Sequence, residues 1–126
     1  MAGVGRFEDL RAWQIARALV TQSHHVTRKC RIREDAELRT QLHRATVSMM
    51  SNIAEGFGRG NDGDFLRFLD IARASAVEVQ SLLYVCEDLG YLSPETRGQL
   101  HRQAARCLAA IAGLQNYLRE VRRRRE

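Results

Sequence analysis

At 126 residues, 44% apolar and with a single proline, the chain suits one domain spanning 1–126, with a real core built from long helices. Three cysteines, an odd number without close pairing, make a poor disulfide framework and a poor zinc site, and Cys86 and Cys107 read instead as small buried hydrophobes. The formal charge is +5, no apolar run is long enough to cross a bilayer, and no charged-then-apolar signal opens the chain, so the sequence reads as cytoplasmic with no membrane partner.

Residues 1–6 read as a loose leader. From Asp9 the pattern turns helical, with Ala12, Ile15, Ala16, Leu19, Ser23 and Val26 in one row and Leu10, Trp13 and Val20 beside it, which predicts a first helix over about 9–27. Asp9 is placed to cap its start and Phe7 to pack on the first turn; Trp13 reads as a core anchor ahead of a partner-facing indole. Arg28, Lys29, Arg31 and Arg33 then crowd a stretch with no apolar period, which reads as a solvated connector ahead of a nucleic-acid patch.

A second helix is expected over about 34–57, with Glu34, Asp35 and Glu37 at its positive end and the row Leu38, Leu42, Ala45, Met49, Ile53. Ser48, Asn52 and Glu55 share one face of it; polar groups beside such a row must find partners or carry a function, and these read as a hydrogen-bonding row that fixes the register of the helix against its neighbours or against another subunit. Gly56 and Gly58 are expected to close the helix, and Gly58, Gly60 and Gly63 to form a tight connection. That connection is neither a phosphate loop, since no strand precedes it and no Gly-Lys-Ser/Thr ends it, nor a calcium loop.

The third helix, about 63–89, carries the row Phe65, Phe68, Leu69, Ala72, Ala76, Val79, Leu83 and Cys86, and Gly90 supplies a left-handed cap onto which Tyr91 and Leu92 fold. Ser93-Pro94 opens a fourth helix, about 94–123, with the cleanest period in the chain: Leu100, Ala104, Cys107, Ile111, Leu114, Leu118 and Val121. A basic tail, 122–126, follows. The predicted fold is therefore all-α, an antiparallel up-down-up-down four-helix bundle.

Charge is unevenly spread: the segments Met1–Thr27, Arg28–Asn61, Asp62–Ser93 and Pro94–Glu126 carry +1, +3, −4 and +5. Nineteen of the twenty basic residues are arginine, which suits phosphate, although a codon bias produces the same preference. The candidate nucleic-acid contacts are Arg39 and Arg44 on the second helix, Arg97, Arg102, Arg106 and Arg119 on the fourth, and Arg122, Arg123, Arg124 and Arg125 at its end. Without a motif of stacking aromatics, such contacts read backbone or shape, of RNA or DNA, rather than base sequence. Ordinary solvated arginines account for the composition equally well, and the opposed charges of the third and fourth helices also suit patches that join identical subunits.

A bundle of this kind could hold a carboxylate-bridged metal pair, but the residues three before His24, His25, His43 and His101 are Thr21, Gln22, Thr40 and Gly98, so no Glu-x-x-His exists. His-Glu-x-x-His is absent, and nothing pairs a Ser or Cys with a particular His. The expectation is a protein without enzymatic activity, metal or cofactor.

The run Gln41–Arg59, around Asn52-Ile53-Ala54-Glu55-Gly56, resembles the signature of the four-helix-bundle family of proteins encoded in intervening sequences of bacterial 23S ribosomal RNA genes. Phe7-Glu8-Asp9-Leu10 with Trp13-Gln14, Phe65-Leu66-Arg67-Phe68-Leu69 with Ile71-Ala72, and Leu89-Gly90-Tyr91-Leu92-Ser93 extend the likeness over nearly the whole chain. Met50 departs from it, standing where the family usually carries the proline that would kink the helix. The chain is similar also to the accessory variability determinant protein of diversity-generating retroelements. These resemblances imply an antiparallel bundle assembling into a ring of five, no enzymatic activity, and a basic surface that binds nucleic acid and a reverse transcriptase. The rival reading is a protein-interaction scaffold with no nucleic-acid role.

Overall fold

The structure, a computed structural model, describes residues 4–126, so the first half of the expected leader lies outside the described residues. Four helices, α1 (Arg11–Lys29), α2 (Ala36–Gly58), α3 (Asp62–Asp88) and α4 (Pro94–Arg125), are joined by short connections, with 3₁₀ turns at Phe7–Asp9 and Arg31–Glu34. Each helix packs on its chain neighbour and α1 also packs on α4, which closes an up-down-up-down four-helix bundle. Leu19, Leu42, Met49, Ile53, Leu69, Leu83, Leu100, Ile111 and Leu118 fill its axis.

The first helix begins later than expected, and Asp9 is not its cap. Leu10 occupies the cap position with no side-chain bond to the helix and is buried, while Asp9 sits in the preceding turn and pairs with Arg6 at 3.7 Å. Burying a leucine is worth about 1.5–3 kcal/mol against about 1 for an acidic cap, so the burial decides. Phe7 does pack on this turn, edge-on to the buried Trp13 with ring centroids 5.1 Å apart. The basic connector is anchored by Ile32, which is wholly buried in the 3₁₀ turn.

Asp35 caps α2 by accepting from the Leu38 amide at 3.1 Å, and its other oxygen accepts from Tyr91 Oη at 3.1 Å, which ties the α3–α4 turn to the start of α2. That bond raises the Tyr91 phenol above its ordinary value. α2 then runs unbroken through Met50 and past Gly56 to Gly58. Gly56 is a contact residue rather than a terminator: a Cβ there would stand 2.7 Å from Phe68 Cβ and 3.0 Å from Phe65 Cδ1. The turn proper is Arg59–Asn61, with Gly60 at φ +82°. Asn61 caps α3 by accepting from the Asp64 amide at 2.8 Å, which places Gly63 in the first turn of the helix.

At the other end Gly90, at φ +76°, lets the Tyr91 amide donate to the Cys86 carbonyl at 2.8 Å and drops Leu92 into the core. Ser93 caps α4 through the Thr96 amide at 3.1 Å. The α4 seam follows the expected row to Ile111; Leu114 is then only half-buried, and Gln115 is buried instead. A strict four-three alternation drifts about 20° per heptad on a straight helix, enough to turn Leu114 partly out. Cys86 and Cys107 are buried, and burial pushes their thiols up to about 11 and about 12.

Candidate nucleic-acid interface

The polar row of α2 divides. Asn52 Nδ2 donates to the Ser48 carbonyl at 2.8 Å and to Ser48 Oγ at 3.0 Å, and the Ser48 and Ser75 hydroxyls meet at 2.7 Å, so these residues bridge α2 to α3. Glu55 takes no part. It is exposed, and its only partner among the described residues is Arg59, at 3.2 Å along the same helix.

The arginines divide as well. Arg97 is half-buried, donates to Glu87 Oε1 at 2.9 Å and lies over the Tyr84 ring, a tie between α3 and α4 that raises its pKa. Arg39 donates to the Arg33 carbonyl at 2.6 Å. Arg122, Arg123, Arg124 and Arg125, the expected basic tail, form the last turn of α4. Arg123 and Arg124 share Glu120 at 2.6 and 3.2 Å, Arg125 reaches Asp62 at 3.3 Å, and Arg122 folds over Gly63. Arg44, Arg102, Arg106 and Arg119 are exposed and have no carboxylate partner among the described residues; Arg106 donates only to Gln103 Oε1, at 2.8 Å.

α1 adds cations that periodicity does not single out. Its nineteen residues contain no Asp or Glu, while Arg11, Arg17, Arg28 and Lys29 all face solvent. α4 likewise has no acid between Thr96 and Arg119, and the open groove between the two helices, of about 580 Å³, is lined by Gln14, Arg17, Ala18, Thr21, Gln22, His25 and Gln103. Acids concentrate instead on α3, which holds Asp62, Asp64, Asp70, Glu78, Glu87 and Asp88 against Arg67 and Arg73. The bundle is thus cationic along α1 and α4 and anionic along α3. Among the described residues no group of three or more His, Cys, Asp or Glu is placed to hold a metal ion, and no helix is long and apolar enough to cross a membrane.

A family model described as 23S rRNA-intervening sequence protein matches residues 8–113. Among solved structures, a crystal structure of a protein of unknown function from the S23 ribosomal protein family of Bacteroides thetaiotaomicron superposes with a TM-score of 0.76, covering 83% of this chain and 95% of that chain. At 16% identity that likeness concerns the fold alone. No curated protein matches the chain.

Proposed function

Because the chain belongs to the 23S rRNA-intervening sequence protein family, we propose that it is a non-enzymatic homo-oligomer, a pentamer, whose basic surface binds structured RNA or an RNA-bound partner such as a reverse transcriptase. The observation that carries this reading is the set of outward arginines, Arg102, Arg106 and Arg119, on an α4 stretch free of acids and beside an acid-free α1. Cations without internal carboxylates are free to take phosphates and release the nucleic acid's counterions. The retroelement partner rests on the resemblance described above. Self-association is supported by α3 and the Leu89 that caps it, where Ile71, Val77, Tyr84, Val85 and Leu89 are each at least 41% accessible.

The test is the affinity for a labelled RNA hairpin across a salt series, with the mass in solution measured in parallel. A mass five times that of the chain and a log–log salt slope of about −3 or steeper, from some four phosphate contacts, are expected. Binding that is absent or insensitive to salt overturns the RNA reading. The apolar α3 face then favours the second reading, a scaffold that binds only protein.

A further inference from the structure

The groove between α1 and α2 holds an arrangement that the arginine contacts leave unexplained. The rings of His24 and His43 stack with centroids 3.8 Å apart and planes 13° from parallel. The partner of His24 fixes its tautomer. His24 Nδ1 lies 2.8 Å from the Val20 carbonyl, which can only accept, so the proton is on Nδ1. Thr27 Oγ1 lies 2.9 Å from His43 Nε2 and 3.2 Å from the His24 carbonyl, and so bridges the two residues. His24 Nε2 therefore keeps a basic lone pair, and neither it nor His43 Nδ1 has a hydrogen-bond partner among the described residues.

The surroundings are cationic. Arg28 and His25 line the same hollow as His24, Arg44 lines the one beside His43, and Arg39 acts on His43 directly. Neither α1, from Arg11 to Lys29, nor α2, from Arg39 to Ala54, contains an acid. The connecting turn brings Arg31, Arg33 and Glu34; the charges of Arg31, Glu34 and Asp35 bear on Tyr91, and the Arg33 carbonyl holds Arg39. Burial first, then His24 and Arg39, push His43 below the ordinary histidine value. Among the described residues no carboxylate pairs with either ring, and the charges that act on His43 are those of His24 and Arg39, so an imidazolium here is served by an anion from outside.

We infer that His24 and His43, with Arg28, Arg39 and Arg44 around them, form a phosphate-binding site that takes up a proton as it binds, and that the phosphate is a phosphodiester of the bound RNA. The inference rests on the RNA reading above and adds a location and a pH dependence. Once a ring is protonated, both its nitrogens carry protons, so His24 Nε2 and His43 Nδ1 become charge-assisted donors, with Arg28 beside the one ring and Arg39 and Arg44 beside the other. The arginines stay charged throughout, so a change in affinity between neutral and mildly acid pH reports the imidazoles.

The experiment measures the affinity of the full chain for the RNA hairpin at several pH values from about 8 to 5.5, for wild type, His43→Asn, His24→Asn and the distant control His101→Asn. In parallel, histidine ring resonances are followed by NMR as the pH is varied, without ligand, with the hairpin and with inorganic phosphate. Affinity is expected to rise as pH falls, by up to tenfold per pH unit for one linked proton. His43→Asn and His24→Asn should flatten the profile while His101→Asn keeps it, and the His43 ring should titrate at higher pH with RNA or phosphate than without. RNA binding with the same pH profile in all four proteins, or ring titrations unmoved by both ligands, overturns the site and leaves the RNA reading standing. Ring titrations raised by phosphate in a protein that binds no RNA keep the anion site and overturn the RNA reading.

Discussion

Replacing Gly56 with alanine sets two effects against each other. In a helix interior the change is favourable by about 1 kcal/mol, because glycine loses more backbone entropy than alanine. Here, however, the new methyl would stand 2.7 Å from Phe68 Cβ, an atom carried by the α3 backbone rather than the end of a flexible side chain, and 3.0 Å from Phe65 Cδ1. α2 and α3 must then separate by several tenths of an ångström along their closest approach, and overpacking of this kind costs about 1–3 kcal/mol, at the upper end where backbone has to move. A net loss of about 1–2 kcal/mol is expected, which for a chain of this length is about 3–8 °C in Tm. Gly58, two residues on, is the internal control: nothing lies within 4 Å of its added Cβ, so Gly58→Ala should be neutral or stabilising by up to about 1 kcal/mol. Urea and thermal unfolding followed by circular dichroism, at one fixed protein concentration so that association does not shift the midpoint, read both variants. A Gly56→Ala protein as stable as Gly58→Ala would refute the close-approach argument.

Asn52→Leu should destabilise by about 1 kcal/mol, because it removes the amide that holds Ser48 against Ser75, whereas Glu55→Leu should stay within about 0.5, since Glu55 pairs only with exposed Arg59; equal losses would contradict that division. Iodoacetamide at mildly alkaline pH should modify Cys30, which is half-buried, and spare Cys86 and Cys107, buried and raised to about 11 and about 12, until the chain unfolds; mass spectrometry counts the adducts. Tyr91→Phe should lower stability at neutral pH. Because the folded phenol is raised, its contribution is present below the unfolded value and fades as pH climbs through the folded one, so the two unfolding curves should converge in strong alkali.

Much of the bundle is legible because its signals are local. The rows Leu38 to Ile53 and Phe65 to Cys86 are read from period, Ser93-Pro94 and Gly90 from capping chemistry, and all of them hold in three dimensions. What is not legible depends on which residues face each other across helices. Gly56 has the sequence character of a helix end, and only the placement of Phe65 and Phe68 opposite makes it a contact glycine. His24 and His43 belong to different helices, and nothing in their separation marks a stacked pair. Ile32 does leave a trace, as the one large apolar side chain between Cys30 and Leu38, but charge dominates that stretch and hides it. Of the cationic α1 only the end, Arg28 and Lys29, shows as a basic run; the rest is legible as an absence, nineteen residues without an acid, to which a search for arginine runs is blind.

The same distinction separates two sets of arginines that composition treats alike. Arg123, Arg124 and Arg125 form the densest cationic run, yet Glu120 and Asp62 already hold all three; Arg102, Arg106 and Arg119 are scattered and hold no carboxylate among the described residues. Replacing either set by alanine removes three charges, so the long-range field falls equally and RNA affinity should drop in both variants. Direct contacts register differently, because each phosphate neutralised contributes about 0.7–0.9 to the salt slope. Losing Arg102, Arg106 and Arg119 should shallow that slope by about 2–3, whereas losing the terminal set should change it by less than about 1, since arginines already screened by their own acids release few counterions on binding. Equal shallowing in the two variants would mean that RNA displaces Glu120 and Asp62 from their arginines, and the contact surface would then cover the end of α4 as well as its length.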